Sequence, residues 1–272
     1  MMGLVRLFWD AYRAFLADDG SAMAGYIAFS ALLGLFPFLI LATNLTAYAL
    51  GPGGAEAAVA ALFDFAPPHL AQTIEPILLD VLSGAGGGLL TLSAIAALWF
   101  SSNAVEAIRT AFDRAYDDAE PRGAVAGRLI SILVVLIGVV VAMTLGTTIV
   151  LAPLAFGVIE AWFEIRVPGW AGAVRYGIGM GTYAMFLVFL HRVLPGHRLP
   201  LRALWAGVAV TTVIWIIAAT GFSIYLGITP TYATTYGTLA GVVISLVFFY
   251  ISGMAVIFGA EINAVRNGKG RR

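Results

Sequence analysis

The sequence predicts an all-α, polytopic membrane protein. It has six transmembrane helices, an N-terminal interfacial helix and a short external helical pair. Three observations carry that reading. Of 272 residues, 61% are apolar and only 11% charged, against about 45–50% and about 25% in soluble domains. The apolar excess is gathered into six runs of roughly 20 residues or more, the length that crosses a bilayer. The basic residues fall unevenly between the connections, as the positive-inside rule requires of a spanning chain. The whole of 1–272 reads as a single transmembrane domain with no internal boundary.

The N-terminal stretch 1–20 lacks an uninterrupted apolar core and a small-residue cleavage site, so no cleaved signal peptide is expected. Arg6, Asp10 and Arg13 fall at spacings that make one polar stripe on a helix. Leu4, Leu7, Phe8, Trp9, Tyr12 and Phe15 cover the rest. Two readings stand side by side: a helix lying in the membrane interface, or an amphipathic helix packed on the bundle.

Span one covers Met23 to Leu50 and holds Pro37 near its middle. A proline there removes a backbone donor, so a kink or helix break is expected. Span two covers Leu89–Phe112, span three Val125–Leu151, span four Ala171–Leu190, span five Ala203–Leu226 and span six Tyr236–Val265. Residues 51–88, between spans one and two, are too polar to span. Val59, Leu62 and Phe63, then Ile74, Ile77, Leu78 and Val81, recur at helical spacing on either side of Pro67-Pro68. The segment reads as an external helical hairpin followed by a Gly-rich hinge at 84–88.

Orientation follows from the arginines. Residues 51–88 hold no Lys or Arg but carry Glu56, Asp64, Glu75 and Asp80. With both termini on the cytoplasmic side, only Arg166 and Arg175 of the 15 basic residues lie outside. The reverse arrangement would place the other 13 there, against the rule.

The composition also excludes. The formal net charge is zero, so no global basic field attracts nucleic acid, and none is expected as a partner. The absence of cysteine removes disulfides, thiolate metal sites and cysteine nucleophiles. There is no H-E-x-x-H, G-x-S-x-G or Walker loop, so no enzyme signature and no cofactor is expected. His191 and His197 flank a Leu-Pro-Gly turn and His69 lies on the other face, which makes a poor metal set. The run Gly177-Ile178-Gly179-Met180-Gly181 sits inside a span and reads as a smooth face for close helix approach.

Chemistry is carried by few residues. Asn103, Glu106, Arg109 and Asp113 fall on one face of span two. Charge within a span is costly and faces a partner or water. The stretch therefore reads as a substrate path, extended by Ser30 and Asn44 around Pro37, or else as an internal ion-pair ladder. Glu261, with Asn263 beside it, needs a partner at the end of span six. Arg192 and Arg202 at the same face are the candidates for structural ion pairs. The hydroxyl-rich run 229–237 reads either as a segment dipping back into the membrane or as an interfacial loop before span six, with Tyr232 and Tyr236 in the aromatic belt.

Several stretches together resemble one family, the YihY / virulence factor BrkB membrane proteins, historically also labelled ribonuclease BN. They are Gly25–Pro37 in span one, Trp99–Ala104 with Ala115-Tyr116, Leu194–Pro200, and Tyr236–Ala240 through Tyr250 to Gly259–Ala264. Ser102 stands where the family often has glycine. The resemblance implies a six-helix protein of the bacterial inner membrane with both termini inside. The ribonuclease label looks misattributed, because a nuclease needs metal ligands and a basic groove outside the bilayer. The expected function is transport or lipid handling in the envelope. The alternative is a structural or assembly protein with no transport activity. Expected partners are membrane lipids and an envelope partner at 51–88, with the oligomeric state left open.

Overall fold

A computed structural model describes residues 3–50, 87–117, 123–145, 148, 156, 168–196, 199–228 and 239–268, with backbone only at 36, 38–50, 87–90, 93, 97, 143, 226–228 and 239–240. The described residues form seven α-helices: α1 (Leu4–Ala17), α2 (Gly20–Leu50), α3 (Gly87–Ala115), α4 (Ala124–Leu145), α5 (Trp170–Val193), α6 (Leu201–Ile228) and α7 (Leu239–Arg266). They make an all-helical, multi-pass membrane protein. Segments within α4, α5, α6 and α7 meet the length and apolarity needed to cross a bilayer. The other two long helices, α2 with 31 residues and α3 with 29, have the length as well. The expected external hairpin lies outside the described residues, apart from Gly87 and Gly88, which open α3. The hydroxyl-rich run 229–237 and His69 and His197 also lie outside them.

The chain stays helical through Pro37: α2 runs from Gly20 to Leu50 with the proline inside it, an assignment that a proline kink leaves unchanged. A spanning helix tolerates the missing N–H because the freed backbone group can be satisfied by neighbouring helices and hydroxyls. A break falls between α1 and α2. There Asp19 adopts a left-handed φ of 57°, a conformation open to aspartate because its short polar side chain can bond locally.

The helices pack in sequence as a ring. α3 meets α4, α4 meets α5, α5 meets α6, α6 meets α7, and α7 returns to α3, while α2 lies along both α3 and α7. Phe112, Val134, Leu187, Leu190, Leu204 and Val208 fill the inside of that ring with fully or nearly buried side chains. A second cluster, with Ala24, Ile27, Ala107, Ala111 and Ile257, seats α2 against α3 and α7. These buried residues lie where α2, α4 and α6 begin and where α3, α5 and α7 end.

Small residues set the closest approach. An added Cβ on Gly177 or Gly181 would meet no atom within 4 Å among the described residues, while Gly179 between them is buried. The close crossing is α6 on α7. A Cβ on Gly207 would fall on the Gly259 carbonyl, and one on Gly259 would fall on the Thr211 hydroxyl. Thr211 Oγ1 donates to the Ala255 carbonyl at 3.1 Å across the same crossing. Interhelical contacts of this type hold spanning helices together where lipid offers no hydrophobic drive.

The helix α1 divides into three sectors. Ala11 and Phe15 are buried against α7, with Phe8 and Phe15 both near the Phe258 ring. Val5, Trp9, Tyr12 and Leu16 form an exposed apolar strip. Arg6 and Asp10 form an i,i+4 ion pair on the third side, which Arg13 extends. The helix therefore packs on the bundle, as the second reading has it, and still presents an apolar and a polar face.

Candidate functional site

The polar face of α3 meets the start of α4. The carboxylate of Glu106 pairs with the Arg109 guanidinium one turn along the same helix. Its second oxygen accepts from Ser131 Oγ at 2.8 Å, which ties α3 to α4. Gly127 of α4 leaves the space that the Arg109 head occupies, since a Cβ there would lie 2.8 Å from Nη1. Arg128 donates through Nη1 to Asn103 Oδ1 at 2.8 Å and through Nη2 to the Trp99 carbonyl at 3.2 Å. Its guanidinium also lies over the Trp99 ring, 4.1 Å from the centroid. The i, i+4, i+7 and i+10 spacing of 99, 103, 106 and 109 approximates one helical stripe, which is why one neighbouring helix engages them all.

A second polar set lies at the same end of the bundle, with two of its three side chains fully buried. His191 of α5 is 0% exposed and stacks on Phe112 with ring centroids 4.5 Å apart. Its Nδ1 hydrogen-bonds the Tyr116 hydroxyl at 2.8 Å, just past the end of α3. Burial pushes the Tyr116 phenol well above its ordinary range, an Asn263 hydrogen bond opposes this, and the negative charge of Glu261 adds to the rise. The phenol is thus a neutral hydrogen-bonding group. Asn263 of α7, also 0% exposed, accepts from the Gly207 N–H at 2.7 Å and reaches Tyr116 Oη through Nδ2 at 3.5 Å. Four helices are joined through three side chains.

The structure thus brings Asn103, Glu106 and Arg109 together with Arg128, Ser131 and Trp99 of the α3–α4 seam. Asp113 lies one turn nearer the end of α3 and is half-buried. Ser30 is buried in α2, and the Asn44 side chain lies outside the described residues. Glu261 is fully buried. Arg192 donates to the Leu199 carbonyl at 2.9 Å, closing the turn after α5, and Arg202 is exposed on the first turn of α6. An ion pair not expected from the sequence, Arg114 with Asp19 at 3.2 Å, ties the end of α3 to the start of α2. Sequence reasoning also missed Tyr116 and His191 as partners. Each is one residue on its own helix, and no local spacing points from one to the other. Among the described residues no group of three His, Asp or Glu could hold a metal ion. A shallow apolar crevice too narrow to hold a water molecule lies between α6 and α7, lined by Trp215, Phe222, Phe248 and Ser252 among others, away from Glu106.

A profile of the virulence factor BrkB family matches residues 11–272, nearly the whole chain. The chain belongs to the virulence factor BrkB family. Among its relatives is a ribonuclease-like protein, YfkH, of Bacillus subtilis (strain 168), 31% identical over 260 residues that cover 94% of this chain and 93% of that one. A UPF0761 membrane protein of Alteromonas mediterranea is 25% identical over 249 residues, 90% of this chain and 82% of its own. A UPF0761 membrane protein of Alkalilimnicola ehrlichii is 27% identical over 245 residues, where the chain spans 53% of the longer relative. No solved structure matches. In this BrkB-family chain the matched region contains both polar sets, the α3–α4 seam and the Tyr116–His191–Asn263 cluster.

Proposed function

We propose that this chain is a multi-pass protein of the bacterial inner membrane that transports or handles an amphiphile such as a lipid, with both termini cytoplasmic. The observation that supports it is the α3–α4 seam. Two arginines, a carboxylate and an asparagine lie within long helices, where charge is costly and is kept for a function. Trp99 of that seam is 59% exposed on the outer surface of the bundle, so the polar groups border the place where lipid lies. On this reading the apolar strip Val5–Trp9–Tyr12–Leu16 of α1 rests in the cytoplasmic interface with Arg6 and Arg13 toward water. The printed ribonuclease-like name of the Bacillus relative belongs to that protein, and the proposal assigns this chain no catalytic step.

The test is reconstitution of the purified chain in vesicles that hold a trace of fluorescent phospholipid. A membrane-impermeant quencher should reach more than the outer-leaflet half of the label when the protein is present. Quenching that stops at the protein-free level would remove the transport reading. A second reading, a structural or assembly protein with an envelope partner at 51–88, draws support from the folded-back Glu106–Arg109 pair, the geometry of scaffolding. It predicts no lipid movement in the same vesicles.

Orientation is checked separately. Single cysteines introduced at Ala58 and Gly268, in a chain that has none of its own, should label from opposite faces with an impermeant thiol reagent. Labelling from one face would overturn the arrangement read from the arginines.

A further inference from the structure

Arg128 points the unusual way. It sits one turn into α4, inside the apolar segment Ala124–Ala142. An arginine so placed normally bends its head outward to the nearer membrane surface. Its neighbour Gly127 faces Arg109, which marks the level of this part of α4 against α3. Asn103 and Trp99 lie about 9 Å and about 15 Å along α3 from Arg109, at 1.5 Å per residue, away from the Ala115 end. By bonding those two residues, Arg128 carries its charge along α3 toward the membrane interior.

Among the described residues no carboxylate pairs with that charge. Glu106 is taken by Arg109 and Ser131. Of the five N–H donors of a guanidinium, one on each terminal nitrogen is used, and Nε is buried without a partner among the described residues. Each terminal nitrogen keeps one further N–H. The exposed Trp99 ring holds the guanidinium plane from one side. Leu92 and Ile95, seven and four residues before Trp99, continue its face of α3 and are exposed at 65% and 61%. An inward-drawn cation with spare forked donors, beside an exposed apolar strip, matches an anionic head with apolar chains attached.

We propose that Arg128, set by Asn103 and Trp99, binds the phosphate of a phospholipid headgroup and draws it below the usual headgroup level, with the acyl chains along Leu92 and Ile95. The inference rests on the lipid-handling reading and names the group by which that reading would hold its cargo.

The experiment is native mass spectrometry of the purified full chain with dioleoylphosphatidylglycerol. Dioleoylglycerol serves as the match without phosphate, and inorganic phosphate as competitor. The wild-type chain should retain phosphatidylglycerol well above dioleoylglycerol, and equimolar inorganic phosphate should not displace it. Arg128→Gln should weaken retention by about tenfold or more, and Arg128→Lys less, because an ammonium keeps the charge but loses the fork. Arg6→Gln, on the exposed stripe of α1, should leave it unchanged. Equal retention of dioleoylglycerol, displacement by inorganic phosphate, or unchanged binding in a folded Arg128→Gln chain each overturns the site. If Arg128→Gln does not fold, Trp99→Leu decides: weakened retention supports the site and wild-type retention overturns it. Binding as expected without lipid movement in vesicles would remove the transport reading and leave the site standing.

Discussion

Replacing Gly259 by alanine is expected to lower the stability of the folded bundle by about 2–3 kcal/mol, the cost of forcing an added methyl into a closed contact. The reason is local. The new Cβ falls on the Thr211 hydroxyl and 2.8 Å from the Gly207 carbonyl, and a backbone carbonyl cannot step aside by changing rotamer. To admit the methyl, α6 and α7 must separate. That lengthens the Thr211–Ala255 hydrogen bond and the Gly207–Asn263 bond at once. The reciprocal change, Gly207→Ala, meets the Gly259 carbonyl and the Asn263 side chain and should cost a similar amount. Gly221→Ala on the same helix, where an added Cβ meets nothing within 4 Å among the described residues, is the control. It should be neutral or slightly stabilising, because alanine is the better helix former by about 0.8–1.0 kcal/mol. Denaturant or thermal unfolding in detergent measures all three. Equal stability of Gly259→Ala and Gly221→Ala would mean the crossing is looser than described.

How much of this was legible in the chain divides along a physical line. The long helices were legible, because each must present about 20 apolar residues to lipid and that constraint is written in consecutive positions. The polar stripe of α3 was legible too, since 103, 106 and 109 share a face by helical geometry alone. The partners were not. Arg128 and Ser131 lie 25 positions from Asn103 and Glu106, and a periodicity says which face is polar but not what stands opposite. Tyr116, His191 and Asn263 are a harder case: one residue on each of three segments, with separations of 75 and 147 along the chain. The glycines divide in the same way. In the run at 177–181 Gly179 is buried while Gly177 and Gly181 stand open among the described residues, and single glycines in α6 and α7 make the tight crossing. Pro37 is a local signal for a bend, and α2 continues as a helix through it.

Glu106→Gln is expected to destabilise the protein by about 3 kcal/mol, the low end of the cost of removing one partner from a buried ion pair. The low end is chosen because Glu106 keeps 28% of its side chain exposed, while Arg109 keeps only 12%. Glutamine has nearly the same shape and can still accept from Ser131 Oγ, so the loss falls on the pairing with Arg109 and not on packing. The guanidinium, wedged beside Gly127, would lose the charge that Glu106 places against it. If that is the cause, removing the cation as well should undo the damage. The double substitution Glu106→Gln with Arg109→Met should recover most of the lost stability, since buried pairs replaced by apolar side chains of similar volume are often neutral or better. The cycle of two singles and the double isolates the pair energy. The same variants separate scaffolding from transport. Under the scaffold geometry, lipid movement in vesicles falls with Glu106→Gln only as far as stability falls, and returns in the double. A Glu106→Gln chain as stable as wild type but without lipid movement would place the carboxylate on the path of the cargo and not in the frame that holds the path.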